Sequence, residues 1–168
     1  MSADRLSIKL SKRVAMLESR AAVTDLVHRY AFNVRYGRSA ECRALFTEDA
    51  VFEMREANAS NPAVDRTVRT LVGPDAIIAY IGTTGVSNIR VYPLIYNLLI
   101  DIDELEARSS CMMTARAWPG GRELLGEYRD TYRYQSGWRF SGRVHTILKD
   151  DAPAAVEQPQ DATSITSR

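Results

Sequence analysis

ELLGEYRDTYRYQSGWRFSGRVHTIL, residues 123–148, holds the pattern that decides the fold. Aromatic and β-branched residues alternate with charged ones through Glu123–Tyr134 and again through Trp138–Leu148, the two-residue period of strands buried on one face. Gln135 to Gly137 supplies a tight turn between them, so the two runs form a hairpin. In that hairpin Tyr128 and Asp130 come to lie across the ladder from Arg143 and His145. The same texture extends backward through Ala107–Ala117 and Ile89–Ile102, with short connections at Asp103–Glu106 and Pro119–Arg122. Four consecutive hairpin-linked runs predict a meandering antiparallel sheet.

Upstream the period changes. Val23, Leu26, Val27, Tyr30, Ala31 and Val34 recur at steps of three and four, which predicts an amphipathic helix over 17–36 with Gly37 as its C-cap. Ser39 opens a short second helix that reaches Leu45 and Phe46, with Glu41 in its first turn. Ala50–Met54 reads as a short strand and Arg55–Asp65 as a loop. Gly73, Pro74 and Asp75 start a third helix that stops at Gly82. Helices first and consecutive strands afterward predict a segregated α+β architecture in which a strongly bent sheet wraps the helices.

The chain has 168 residues, 45% of them hydrophobic and 26% charged, enough for one sizeable core. One domain over residues 1–150 is expected, followed by a disordered tail at 151–168, which has two prolines and no aromatic residue. Lys and Arg total 22 against 21 acidic residues, without a like-charge block, so neither a nucleic-acid nor a membrane partner is expected. No run approaches the ~20 apolar residues of a membrane span. Cys42 and Cys111 stand far apart without metal-ligand spacing, which points to neither a disulfide framework nor a zinc site and places the chain in the cytoplasm.

The strings LESRAAVTDLVHRY and ALFTEDAVFEM, Asn97 opening LLIDID, and GEYRDTYRYQSGWRF together resemble the SnoaL-like, nuclear transport factor 2-like family of polyketide cyclases, scytalone dehydratase and dehydrochlorinases. The resemblance spans 17–148 and implies a cone: a curved antiparallel or mixed sheet wrapped around N-terminal helices and enclosing a pocket. In the dehydratase and dehydrochlorinase branch an Asp late in the first helix orients a His on the first long strand, and that His removes a proton, because a carboxylate stabilises imidazolium in a dry pocket. Here those positions fall on Arg35 and Pro93, so the usual dyad is absent. The resemblance carries over Arg143 as a pocket arginine and Tyr128 as a pocket-lining residue.

The candidates follow from this frame. His145 and Asp130 are the proposed proton carriers and Tyr128 the third catalytic group, while Tyr30, Phe52, Tyr92, Asn97 and Arg143 are assigned to substrate binding. Arg35 falls on the apolar stripe of the first helix, where it either clamps an anionic group, paired with Asp130 or Asp49, or snorkels from the helix end. Asp130 and Arg143 could equally form a structural salt bridge. No metal and no cofactor is expected. The reading is a cofactor-independent lyase, isomerase or cyclase for a small apolar, aromatic or polyketide-like molecule, working as a homodimer. The alternatives are a non-catalytic ligand-binding protein and the small, beta-type subunit of a ring-hydroxylating oxygenase.

Overall fold

The computed structural model describes residues 3–58, 60–61, 64–83, 90–118 and 121–151. The tail expected at 151–168 lies outside them, apart from its first residue. The chain forms α1 (Ala3–Arg35), α2 (Ser39–Arg43), β1 (Phe46–Glu56), β2 (Arg66–Val72), α3 (Pro74–Thr83), β3 (Arg90–Asp103), β4 (Glu106–Trp118), β5 (Glu123–Tyr134) and β6 (Trp138–Asp151). The six strands make one curved, unclosed mixed sheet in the order β2-β1-β6-β5-β4-β3. The expected meander of β3 to β6 is present, each neighbour antiparallel. A parallel β1–β6 pair then carries the N-terminal strands into the same sheet.

Gly37 takes φ +64 directly after α1, the left-handed conformation that a C-cap glycine supplies. Val23, Leu26, Val27, Tyr30 and Ala31 are buried on the helix face toward the sheet, as their spacing requires. They meet Phe46, Phe52, Ile77, Ile100, Met113, Tyr128, Tyr132 and Phe140 in the core.

Four expectations are corrected. The first helix is 33 residues long and begins at Ala3; residues 4–18 are exposed, so no buried face writes a core pattern into that part of the sequence. The second helix stops at Arg43, and Phe46 is the first residue of β1, where it is 1% exposed under Tyr30 and Phe140. The first strand is longer than Ala50–Met54, extending to Glu56. After the loop an additional strand, β2, pairs with β1. Its sequence, RTVRTLV, is exposed at most positions, since an edge strand carries little of the apolar alternation that would announce it.

Candidate functional site

The inward positions of the sheet and the C-terminal half of α1 enclose a cavity of about 390 Å³. Its wall is mostly apolar: Phe52 and Met54 on β1, Val91 and Pro93 on β3, Met113, Ala115 and Ala117 on β4, with Val34 on α1 and Ile81 on α3. Polar character comes from the phenols of Tyr30, Tyr80 and Tyr128, the imidazole of His145, and Arg122. Volume and lining match those of sites that hold a small, largely apolar molecule oriented by a few polar groups.

His145 sits opposite Tyr128 across the β5–β6 ladder, their ring centroids 4.8 Å apart. Space for its ring is made by Gly126, where a Cβ would stand 2.9 Å from His145 Nε2. That Nε2 has no hydrogen-bond partner. Burial, with the nearby positive charge of Arg143, pushes the imidazole down to about 4, so it is neutral at ordinary pH. Burial likewise pushes Tyr30 up to about 12 against the pull of Arg143, and Tyr128 well above the ordinary phenol value. Tyr30, Tyr128 and His145 therefore present neutral groups to the cavity, two phenols and one imidazole, and the charge in the lining is that of Arg122, which is paired with Asp150.

Arg143 and Asp130, also paired in register, lie behind this wall. Asp130 Oδ1 accepts from Arg143 Nε at 2.7 Å and Oδ2 from Nη2 at 2.8 Å, with both side chains fully buried. The guanidinium is stacked among aromatic rings, its Cζ 4.0 Å from the centroid of Tyr30, 4.1 Å from Tyr128 and 4.4 Å from Phe140. Tyr132 donates to Asp130 Oδ2 at 3.1 Å and shares a 2.6 Å hydrogen bond with Ser109. Each carboxylate oxygen is thus occupied, and the rings of Tyr30 and Tyr128 that stack on the guanidinium are also part of the cavity lining.

The cavity brings together His145, Tyr128, Tyr30 and Phe52 of the residues named from sequence. The others stand elsewhere. Arg35 is exposed and stacks on Tyr36 and Tyr92, with Cζ 5.2 and 4.9 Å from their centroids, so it extends from the helix end instead of clamping inward. Its expected partners are taken: Asp130 holds Arg143, and Asp49 accepts from Arg133 at 2.8 Å. Tyr92 points to an open groove on the opposite sheet face beside Leu94 and Tyr96, because neighbours along a strand alternate faces and Pro93 takes the inward position. Asn97 is exposed at φ +52, within the break of the β3–β4 register, away from the cavity. Asp130 and Arg143 form a buried salt bridge behind the wall, the structural alternative to their assignment as proton carrier and substrate contact.

Tyr80 and Arg122 were not anticipated. Tyr80 is on the short α3, and Arg122 on the β4–β5 connection donates from Nε to Asp150 Oδ1 at 2.8 Å. Neither position carries a periodic signal, since a helix edge and a turn reach the cavity only through the tertiary fold. Cys42 and Cys111 are free and buried, and burial pushes both thiols up to about 11. Among the described residues no helix is long and apolar enough to cross a membrane, and no cluster of three or more His, Cys, Asp or Glu is placed to hold a metal ion.

Comparison with solved structures shows the same fold. A protein of Novosphingobium aromaticivorans DSM 12444 whose suggested activity is scytalone dehydratase aligns with TM-score 0.67 at 21% identity, over 85% of this chain and 92% of that one. The beta subunit of a suggested aromatic-ring-hydroxylating dioxygenase from the same organism aligns with TM-score 0.66 at 14% identity, over 81% and 92%. A hexachlorocyclohexane dehydrochlorinase, LinA type 2, aligns with TM-score 0.64 at 14% identity, over 89% and 99%. No functionally curated protein matches the sequence. The model of the SnoaL-like domain matches residues 15–144, which contain the cavity wall except His145 and Ile147, and the chain belongs to the SnoaL-like family.

Proposed function

We propose that the cavity binds a small, uncharged, cyclic molecule bearing a carbonyl or hydroxyl oxygen, and that the protein acts on it as a lyase or isomerase through its own side chains. The observation that carries this reading is the pairing of Tyr128 with His145 on one wall of an otherwise apolar cavity. A phenol that stays protonated donates to a carbonyl oxygen and stabilises the enolate that forms when a neighbouring carbon loses its proton. His145, neutral and with Nε2 unpartnered, is the group on hand to take that proton. With a proton affinity this low it is a weak base, so the substrate proton must be acidified by the adjacent carbonyl.

Turnover of enolisable cyclic ketones by the wild type, Tyr128→Phe and His145→Ala is the test. Loss of about two orders of magnitude in kcat for each variant, with the ligand still bound, supports the assignment. Undiminished turnover in both would overturn it. A second reading, binding without chemistry, is favoured by one feature: the shift of His145 is caused by burial and Arg143 alone, with no carboxylate to stabilise its charged form. Saturable binding without turnover by the wild type would select that reading.

A further inference from the structure

We propose that the outer face of α1 is a coiled-coil seam through which two copies of this chain associate as a parallel dimer. The proposal is independent of the reaction assigned to the cavity. Residues 4–18 of α1 are all exposed, an overhang of roughly 22 Å at ~1.5 Å per residue. A helix this short, without tertiary contacts, is marginal in water. Yet it carries large apolar residues in the open: Leu10 is 60% exposed and Leu17 64%. Leu10, Val14, Leu17, Ala21, Thr24 and His28 follow one another at alternating steps of four and three, the heptad spacing of positions d and a.

This stripe runs opposite the face of α1 that packs Val23, Val27 and Tyr30 onto the sheet, so the bodies of two protomers would lie on opposite sides of the seam. Around the small Ala21 and Thr24 the surface dips into a shallow depression bordered by Leu17, Arg20, Asp25 and His28, where small residues leave room for a partner's side chain.

The flanking charges select both the occupant and its direction. In this frame Arg13 and Arg20 take g positions and Glu18 and Asp25 take e positions. In a parallel pair each g residue meets the partner's e residue five positions on, so Arg13 faces Glu18 of the second copy and Arg20 faces Asp25. An antiparallel pair would set arginine against arginine and carboxylate against carboxylate. Asp25 already holds Arg29 of its own helix at 2.5 Å, and both groups are exposed enough to share. An anionic lipid surface is the competing occupant, since Arg5, Lys9, Lys12 and Arg13 are also on the overhang. Glu18 and Asp25 beside the stripe would face that surface and oppose it.

Sedimentation equilibrium on the full chain decides between them. The wild type is expected to dimerise in the micromolar range and Leu10→Glu/Leu17→Glu to be monomeric, with unchanged near-UV circular dichroism and reduced helical signal. Arg13→Glu/Arg20→Glu should weaken the homodimer about tenfold or more, and mixing it with Glu18→Arg/Asp25→Arg should restore association as a heterodimer. Leu10→Cys should oxidise to a covalent dimer only in the parallel arrangement. A monomeric wild type, a dimer that survives Leu10→Glu/Leu17→Glu, or a wild type that sediments with phosphatidylglycerol vesicles and does not self-associate would each overturn the proposal.

Discussion

At the scale of single residues, the physics of the site is that of groups made neutral or paired by burial. His145 titrates near 4 in the folded chain against an ordinary 6.5, so folding favours its neutral form. Its contribution to stability is complete above pH 6.5 and is lost as pH falls from there toward 4, where the unfolded chain takes up a proton that the folded chain refuses. The full loss is on the order of 3 kcal/mol. Denaturant unfolding at pH 7 and pH 4.5 should therefore show a drop in the wild type that is smaller in His145→Gln. The carboxyls of Asp49, Asp75 and Asp150, held below their ordinary 3.8 by hydrogen bonds from Arg133, Arg43 and Arg122, stabilise the fold above that value and lose the contribution only as pH falls below it, outside this window. Asp130→Asn should be far more costly than a surface change, because it leaves the guanidinium of Arg143 buried without its counter-charge. A loss of about 3–5 kcal/mol in the unfolding free energy is expected, and a loss below 1 kcal/mol would contradict the stacked ion pair described here.

At the scale of elements, the turn pairs Tyr134 with Trp138 and Tyr132 with Phe140, and a one-residue register shift between Thr131 and Tyr132 then sets Asp130 opposite Arg143 and Tyr128 opposite His145. Gly126 is the element's concession to the imidazole. An added Cβ there would stand 2.9 Å from His145 Nε2 and 3.0 Å from the Thr146 carbonyl oxygen, and the second of these is backbone that cannot swing aside. Gly126→Ala should cost about 1–3 kcal/mol and displace the His145 ring, read as a shift of its imidazole proton resonances and a weaker ligand complex. The two ends of α1 differ in the same terms. Its C-terminal half is fixed by burial against the sheet, and its N-terminal half is free for a partner.

At the scale of the whole molecule, the unclosed sheet leaves an interior that side chains do not fill. Ala115 and Ala117 keep the β4 wall thin, and a larger residue there would occupy ligand space without opening a void. Ala117→Leu should leave the thermal midpoint unchanged or higher, while ligand affinity falls by about tenfold or more in calorimetric titration. Equal affinity would show that the ligand sits elsewhere, with the outer groove beside Tyr92 and Tyr96 the next place to look.

Order and type of most elements were legible in the sequence, because burial on one face writes a period into the chain: 3.6 for the buried half of α1, two for β3 to β6. That Tyr128 and Asp130 lie near Arg143 and His145 was legible from the hairpin, whereas the exact partners depend on a register shift between Thr131 and Tyr132 that neither the period nor the turn announces. Where no buried face exists no period is written, and so β2 and the first turns of α1 were invisible. Only the tertiary structure decided which polar residues meet the cavity. Arg35 and Tyr92 turn outward and Asp130 turns behind a wall of rings, whereas Tyr80 and Arg122 arrive from α3 and a turn. Depth within a curved sheet depends on how strands from both ends of the chain pack against one helix, and pairwise spacing along the chain does not encode that distance.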